Sequence, residues 1–407
     1  MAELPASLPS CIASETAAPA QRIVHFEDTR LAFAHRSDRE LWRMRWLFRI
    51  MNHPTLNKIG TSTLQLALRL HLPIEPVIKA TLFRQFCGGE TVEACQSVIQ
   101  ALWQAKIKAI LDYAVEGERS EKGFERTANT VVQNIWRASG NPMLPFAVFK
   151  VTGLARMALL EKISAQEPLT LEERSEWQRV QDRIERIAAA ARTANVPVMI
   201  DAEESWIQPA IDELALQAMR QSNRQRAIFF TTLQLYRHDR LAYLKALFEQ
   251  ATAEHFYLGV KLVRGAYMEK ERERAARLGY PSPIHSTKAD TDRDYDAAID
   301  FCLQHLDRIA LCAGTHNEKS TLKLANALPS PDMPTVYFAQ LYGMGDHLSY
   351  TLAANGFNVA KYVPYGAVRE VLPYLIRRAE ENSSLKGYVS RELGLIEAEW
   401  RRRRKRL

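Results

Sequence analysis

At 407 residues, with 47% hydrophobic and 25% charged residues, the chain can bury a large core and is too long for a minimal domain. The formal net charge is +7, but Arg401, Arg402, Arg403, Arg404, Lys405 and Arg406 account for most of it, so the folded body is near neutral and no nucleic-acid surface is expected on it. Cys11, Cys87, Cys95, Cys302 and Cys312 contain no CxxC pair, which argues against a disulfide framework and a zinc cage, and no apolar run reaches the roughly 18 residues of a membrane span.

Residues 1–30 are rich in Ala, Ser and Pro and read as a disordered N-terminus. They lack a signal-peptide core, and Glu3 and Glu15 precede the first arginine, Arg22, so they do not read as a transit peptide. That favours a bacterial over a processed organellar form. From 31 to 108 the text is helical. Trp42, Trp46 and Ile50 repeat at four-residue spacing, as do Leu64 with Leu68 and Val98 with Leu102, with Pro73, Pro76 and Gly88-Gly89 as punctuation. The reading is a helical arm whose aromatic stripe is core rather than a cofactor contact.

Beyond 108 the rhythm changes. Short apolar, β-branched runs appear at Ile110–Tyr113, Val148–Thr152, Val198–Asp201, Ile228–Leu233, Gly259–Val263, Ile309–Ala313, Val336–Ala339 and Asn358–Tyr362, with helix-period segments between them. One such helix, Leu171–Thr193, opens with Thr170 and Glu173 at capping-box spacing and carries Trp177, Val180, Ile184 and Ile187 on one face. Repeated strand–helix alternation predicts a (β/α)₈ barrel over 109–390. A doubly wound open sheet is disfavoured, because no GxGxxG follows any strand. Residues 391–407 read as a basic tail, either a solvated end or a weak contact with anionic lipid.

In such a barrel the chemistry collects at the C-terminal strand ends. Those ends carry Lys150 and Thr152; Asp201, Glu203 and Glu204; Gln234, Tyr236 and Arg237; Lys261 running into Arg264-Gly265-Ala266-Tyr267; Thr315-His316-Asn317; Gln340-Leu341-Tyr342-Gly343; and Tyr362. The following helix adds Arg377 and Arg378. A purely structural barrel does not need polar groups at nearly every top position, so these converge on a functional site. Two adjacent arginines form a clamp for a small carboxylate, and the tyrosines can wall an apolar ring. The plainer alternative pairs Arg377 with Glu381 at i,i+4 on a solvated face. Lys150 and Asp201 stand on neighbouring strands. They read either as an ion pair or as a Schiff-base lysine with its acid, which would make the protein an aldolase or lyase. His316 has no second histidine at ligand spacing, so no metal site is expected, and no elbow motif supports a Ser/His/Asp triad. A binding protein targeted by its basic tail is a third reading, disfavoured by the polar strand ends.

Several long segments, in order, resemble proline dehydrogenase: Gln85-Phe86-Cys87-Gly88-Gly89-Glu90, Phe149-Lys150-Val151-Thr152-Gly153-Leu154, Ile200-Asp201-Ala202-Glu203, Lys261-Leu262-Val263-Arg264-Gly265-Ala266-Tyr267, Phe338-Ala339-Gln340-Leu341-Tyr342-Gly343-Met344-Gly345, and Tyr374-Leu375-Ile376-Arg377-Arg378-Ala379-Glu380-Glu381-Asn382. The arm resembles the monofunctional, mitochondrial-type branch, with no room for an aldehyde dehydrogenase module. The resemblance implies an FAD enzyme on a distorted (β/α)₈ barrel with the last helix over the active site. It would oxidise L-proline to Δ1-pyrroline-5-carboxylate, with hydride passing from C5 to flavin N5 and electrons to a membrane quinone such as ubiquinone.

By the same resemblance, Arg377 and Arg378 pair with the proline carboxylate. Tyr267, Leu341, Tyr342 and Tyr362 pack around the ring, and Lys150, held by Asp201, completes the polar side. Gln234, Lys261, Val263, Gly265, Ala266, Tyr267, Thr315, His316, Asn317, Gln340 and Glu381 fall to FAD, with Lys261 near the flavin N5 and O4 edge. No general base is assigned. The chain departs from the family twice: Lys261 stands where many members have arginine, and Ala367 where proline often follows Tyr365-Gly366. Hydroxyproline is the alternative substrate of the same site. The expected location is the bacterial cytoplasm, peripheral on the inner membrane, or the mitochondrial inner membrane in a eukaryote.

Overall fold

Eight parallel strands pair in chain order and the last pairs with the first, closing a barrel. They are β1 (Ile107–Tyr113), β2 (Ala147–Lys150), β3 (Val198–Asp201), β4 (Phe229–Gln234), β5 (Leu258–Val263), β6 (Ile309–Gly314), β7 (Val336–Leu341) and β8 (Val359–Tyr365). This is a computed structural model; it describes residues 24–53, 55, 74–114, 120–384 and 388–405, with backbone alone over 379–384 and at 388. Each apolar run read from the sequence falls on one of these strands, as (β/α)₈ alternation predicts. The barrel is uneven. The β1–β8 seam runs in register from Ile107↔Val359 to Tyr113↔Tyr365, whereas β1 meets β2 only at Leu111↔Ala147.

The two-residue period of a strand divides its side chains between barrel interior and helix layer. Ile110, Val148, Met199, Phe230, Cys312, Ala339 and Ala360 fill the interior. Leu111, Ala147, Ile200, Leu233, Val260 and Phe338 face the surrounding helices. The Leu171–Ala194 helix carries the expected Thr170–Glu173 capping box and ends on Asn195 in the left-handed region.

The arm contains helices Thr29–Phe33, Asp38–Asn52 and Gln96–Gln104, with a helical run from Glu75 to Phe86 interrupted by one π turn. The Asp38–Asn52 helix is closed by a Ser37–Glu40 capping box and buries Leu41, Met44, Phe48 and Met51 in a cluster with Val371, Leu375, Leu395 and Ile396. The expected aromatic core stripe is therefore corrected: Trp42 and Trp46 are each 52% exposed. Two apolar stripes share this helix, and the one facing the neighbouring helices is Leu41–Met51. Leu64, Leu68, Pro73, Cys11 and the N-terminal stretch through residue 23 lie outside the described residues.

The basic tail belongs to a final helix, Tyr388–Arg404, which packs on Asp38–Asn52. Its buried Glu399 accepts from Thr29 Oγ1 at 3.0 Å and from Arg402 and Arg403 at 2.7 Å. Arg403 also donates to the carbonyls of Phe33 and Arg36, each at 2.8 Å. Arg402 and Arg403 are thus structural charges rather than solvated ones; Arg406 lies outside the described residues. No described helix is long and apolar enough to cross a membrane.

Candidate active site

Two residues above the apolar interior layer, the same strand faces turn polar. Asp112, Lys150, Asp201, Lys261 and Tyr362 stand two positions after Ile110, Val148, Met199, Gly259 and Ala360, so strand parity carries them inward at the C-terminal mouth. Register sets Lys150 beside Asp201, and Lys150 Nζ lies 3.2 Å from the Asp201 carboxylate and 3.8 Å from Asp112. Lys261 donates to Asp201 from the far side. Tyr362 donates its hydroxyl to Asp201 at 2.7 Å and accepts from Lys261 at 2.9 Å. Lys150, Asp201, Lys261 and Tyr362 thus form one network.

Charge inside this network follows from the geometry. Burial opposes ionisation of Asp201, but the Lys261 and Lys150 ammoniums outweigh it and hold the carboxyl at about 2. Burial, reinforced by the Asp201 charge, raises the Tyr362 phenol well above its ordinary value. Both groups therefore keep one protonation state through the neutral range. Glu203 does not. Its carboxylate accepts from the Thr152 backbone N–H at 2.9 Å and from the Thr152 hydroxyl, yet burial pushes it up to about 7.

Above β5 the loop Arg264-Gly265-Ala266-Tyr267 is fixed by Gln234, which accepts from the Ala266 N–H at 3.0 Å and donates to the Glu203 carbonyl at 2.7 Å. Gly265 has φ +142°, and a Cβ there would collide with the Tyr236 ring; glycine is required. Tyr267 is buried. The Arg377 guanidinium, from the Leu372–Ser384 helix, lies 5.9 Å from its ring centre. Arg378, also buried, lies 5.3 Å from the Tyr374 ring. Leu341 packs in the barrel interior group that holds Tyr362.

Above β5 and β6, Arg264 reaches Asp292 at 2.7 Å, Thr315 Oγ1 at 2.6 Å and Ser320 Oγ at 2.9 Å. It stands beside the N-terminus of the Glu318–Ala327 helix, which Asn317 caps. His316 accepts the Leu341 N–H at 3.3 Å. Burial, with Lys361 and Arg378 nearby, lowers its pKa well below the ordinary value and keeps it neutral. Gln340 donates to the Thr315 carbonyl at 3.2 Å and accepts from Ser349 at 2.8 Å. Val263 ends β5 on the inward parity of Lys261.

Tyr342, expected on the ring wall, follows the end of β7 on the outward parity, near the Arg36 guanidinium of the arm. The Glu381 side chain lies outside what is described. Lys261, expected against a flavin edge, is engaged by Asp201 and Tyr362. Sequence reading did not find the roles of Asp112, Arg264 or the buried Lys361–Asp346 pair at 2.9 Å. Strand parity would have signalled Asp112, which ends an apolar run as Asp201 does. Lys361 carries no such signal, because it faces outward and its partner lies on a helix.

The family model described as proline dehydrogenase matches residues 95–391. The chain is 40% identical over 318 residues to the carbapenem antibiotics biosynthesis protein CarD of Pectobacterium carotovorum subsp. carotovorum, covering 78% of this chain and 83% of that one. It is 32% identical to mitochondrial proline dehydrogenase 1 of Dictyostelium discoideum, over 92% of this chain and 74% of the relative. It is 31% identical to hydroxyproline dehydrogenase of Xenopus laevis, over 97% and 94%. Among solved structures, proline utilization A from Bdellovibrio bacteriovorus superposes with a TM-score of 0.68 at 19% identity, over 88% of this chain. The chain spans 38% of that longer protein, and the likeness is one of fold.

Proposed function

The chain belongs to the proline dehydrogenase family, and from that premise we propose that it oxidises L-proline to Δ1-pyrroline-5-carboxylate, with FAD as cofactor and a lipid-soluble quinone as electron acceptor. The observation that carries this reading is the placing of Arg377 over Tyr267 with Arg378 adjacent, above a barrel mouth closed on its inner side by the Asp201 network.

The donor set suits a dinucleotide. Arg264 and the N-terminus of the Glu318–Ala327 helix, with Thr315 and Asn317, supply a cation and backbone N–H groups fit for phosphates. Gln234, Lys261, Val263, Gly265, Ala266, Tyr267, His316, Gln340 and Glu381 are assigned to the rest of FAD. When bound, FAD supplies the two-electron acceptor to which hydride leaves proline C5. Arg377 and Arg378 bind the substrate carboxylate and so fix which ring edge is presented. Tyr267, Leu341 and Tyr362 wall the ring and exclude water. Lys150 and Lys261, held by Asp201, keep positive charge at fixed positions beside it. Asp201 and Tyr362 do not titrate near neutrality, so they orient these groups rather than carry the substrate's proton. Arg401, Arg404 and Lys405 are exposed and suit peripheral contact with an anionic membrane.

The arginine clamp has a direct test. Arg378→Met is expected to raise the proline KM at least tenfold, the loss of about 2 kcal/mol for a charge-assisted bond, while FAD content stays unchanged. Loss of FAD together with activity would make the helix structural instead. The likeness to a hydroxyproline dehydrogenase along almost the whole chain favours one second reading, oxidation of hydroxyproline by the same residues.

A further inference from the structure

The half-exposed Trp42 and Trp46 lie one turn apart on the Asp38–Asn52 helix. Two indoles side by side make a contiguous exposed apolar patch, and its charged surroundings are mostly basic: Arg39, Arg43 and Arg84 against Asp38 and Glu40. Trp42 lines a shallow cleft with Asp38, Arg39, Arg43 and Trp400 of the final helix. Arg404 covers the Trp400 ring at 5.2 Å.

The charge balance of this face is lopsided. Among the described residues Arg39, Arg43 and Arg84 form no ion pair. On the flank of the same helix, Arg45 and Arg49 are both paired with Glu397. The acids of the exposed face are already engaged: Asp38 takes Arg403 at 2.7 Å, and Glu40 closes the helix cap on the Ser37 N–H at 2.9 Å. The face therefore offers indole rings together with guanidiniums that make no close ion pair, although Glu40 lies within electrostatic reach of Arg43.

From Trp42 and Trp46 a groove with Met44 and Leu47 among its lining residues runs to Gln85. Gln85 donates to the Gly343 carbonyl at 2.7 Å. Gly343, at φ +80°, sits so close to the Gln85 carbonyl that a Cβ would collide with it. Gly343 lies two residues after Leu341 of the candidate active site, so the groove connects the tryptophan face to that loop.

We propose that the arginine-rimmed Trp42–Trp46–Trp400 face is the surface by which this protein lies on an anionic lipid bilayer. Indole rings settle at headgroup depth, guanidiniums bind lipid phosphates, and a helix carrying both lies in the interface plane. The docking extends the quinone reading above, because it sets the loop next to Leu341 at the end of a groove open on the bilayer side.

The test is sedimentation of the full chain with vesicles of phosphatidylcholine alone and of phosphatidylcholine mixed with phosphatidylglycerol. The unaltered protein is expected to partition onto the mixed vesicles only. Trp42→Ser with Trp46→Ser should lower that partition roughly tenfold or more, as should Arg39→Gln with Arg43→Gln. Trp136→Ser, which removes an exposed indole elsewhere, should not. Proline turnover with a short-chain, water-soluble quinone should survive in every variant, which shows that they fold. Absence of vesicle binding, or equal binding by the unaltered protein and the double tryptophan variant, overturns the proposal. Failure to reduce any quinone would sink the acceptor reading alone and leave vesicle binding to decide this one.

Discussion

One carboxylate organises the barrel mouth. Asp201 is met by two ammoniums and a phenol, and the balance of burial against cations leaves it ionised. Glu203, two positions on, has the Thr152 N–H and hydroxyl and only a weaker pull from Lys150, and burial outweighs them and pushes it up to about 7. The consequence for stability has a definite sign. A carboxyl whose pKa is raised by folding contributes fully below its ordinary value of 4.5, and that contribution is lost as pH rises through about 7. Denaturant unfolding should therefore show stability falling between about pH 4.5 and 7, by on the order of 2–3 kcal/mol. Glu203→Gln should flatten that slope, and an unchanged slope would mean the carboxyl ionises freely. The Lys150–Asp201 pair was legible because strand ends on neighbouring strands share a register. The engagement of Lys261 was not, since it depends on how barrel closure brings β5 and β8 across the mouth.

At the scale of elements, the loop after β7 is held from three sides. Asp346 opens the Asp346–Ala354 helix and takes Lys361 at 2.9 Å, Arg36 at 3.1 Å and His35 at 3.4 Å. Lys361, fully buried on β8, also donates to the carbonyls of Leu341 and Met344. Lys361→Met leaves Asp346 buried with fewer cations and frees that loop. The expected result is a loss of about 3 kcal/mol in unfolding free energy, with proline KM raised several-fold and kcat less affected. A stability loss with unchanged KM would show that the loop is held without Lys361. The eight strands were legible from β-branched runs. The arm was legible as helix but not in its facing: on Asp38–Asn52 two apolar stripes compete, and only packing against the final helix selects Leu41, Met44, Phe48 and Met51.

At the scale of the whole molecule, the two ends of the described chain clasp the same side of the barrel. Arg403 ties the final helix to the carbonyls of Phe33 and Arg36, and the buried Glu392 accepts from the Gly345 N–H at 3.0 Å, below the loop that carries Leu341. The excess positive charge is thus partly spent inside the fold and partly displayed beside tryptophans. A composition total cannot separate those uses, which is why the basic segment read as a tail. The most direct measurement is the visible absorbance spectrum of the purified protein, supplied with FAD and titrated without air with L-proline and, separately, with hydroxyproline. Flavin bands that bleach with L-proline are the expected result. A protein that takes up no FAD, or flavin bands that L-proline leaves intact, would contradict it; bleaching by hydroxyproline alone would move the assignment to that substrate.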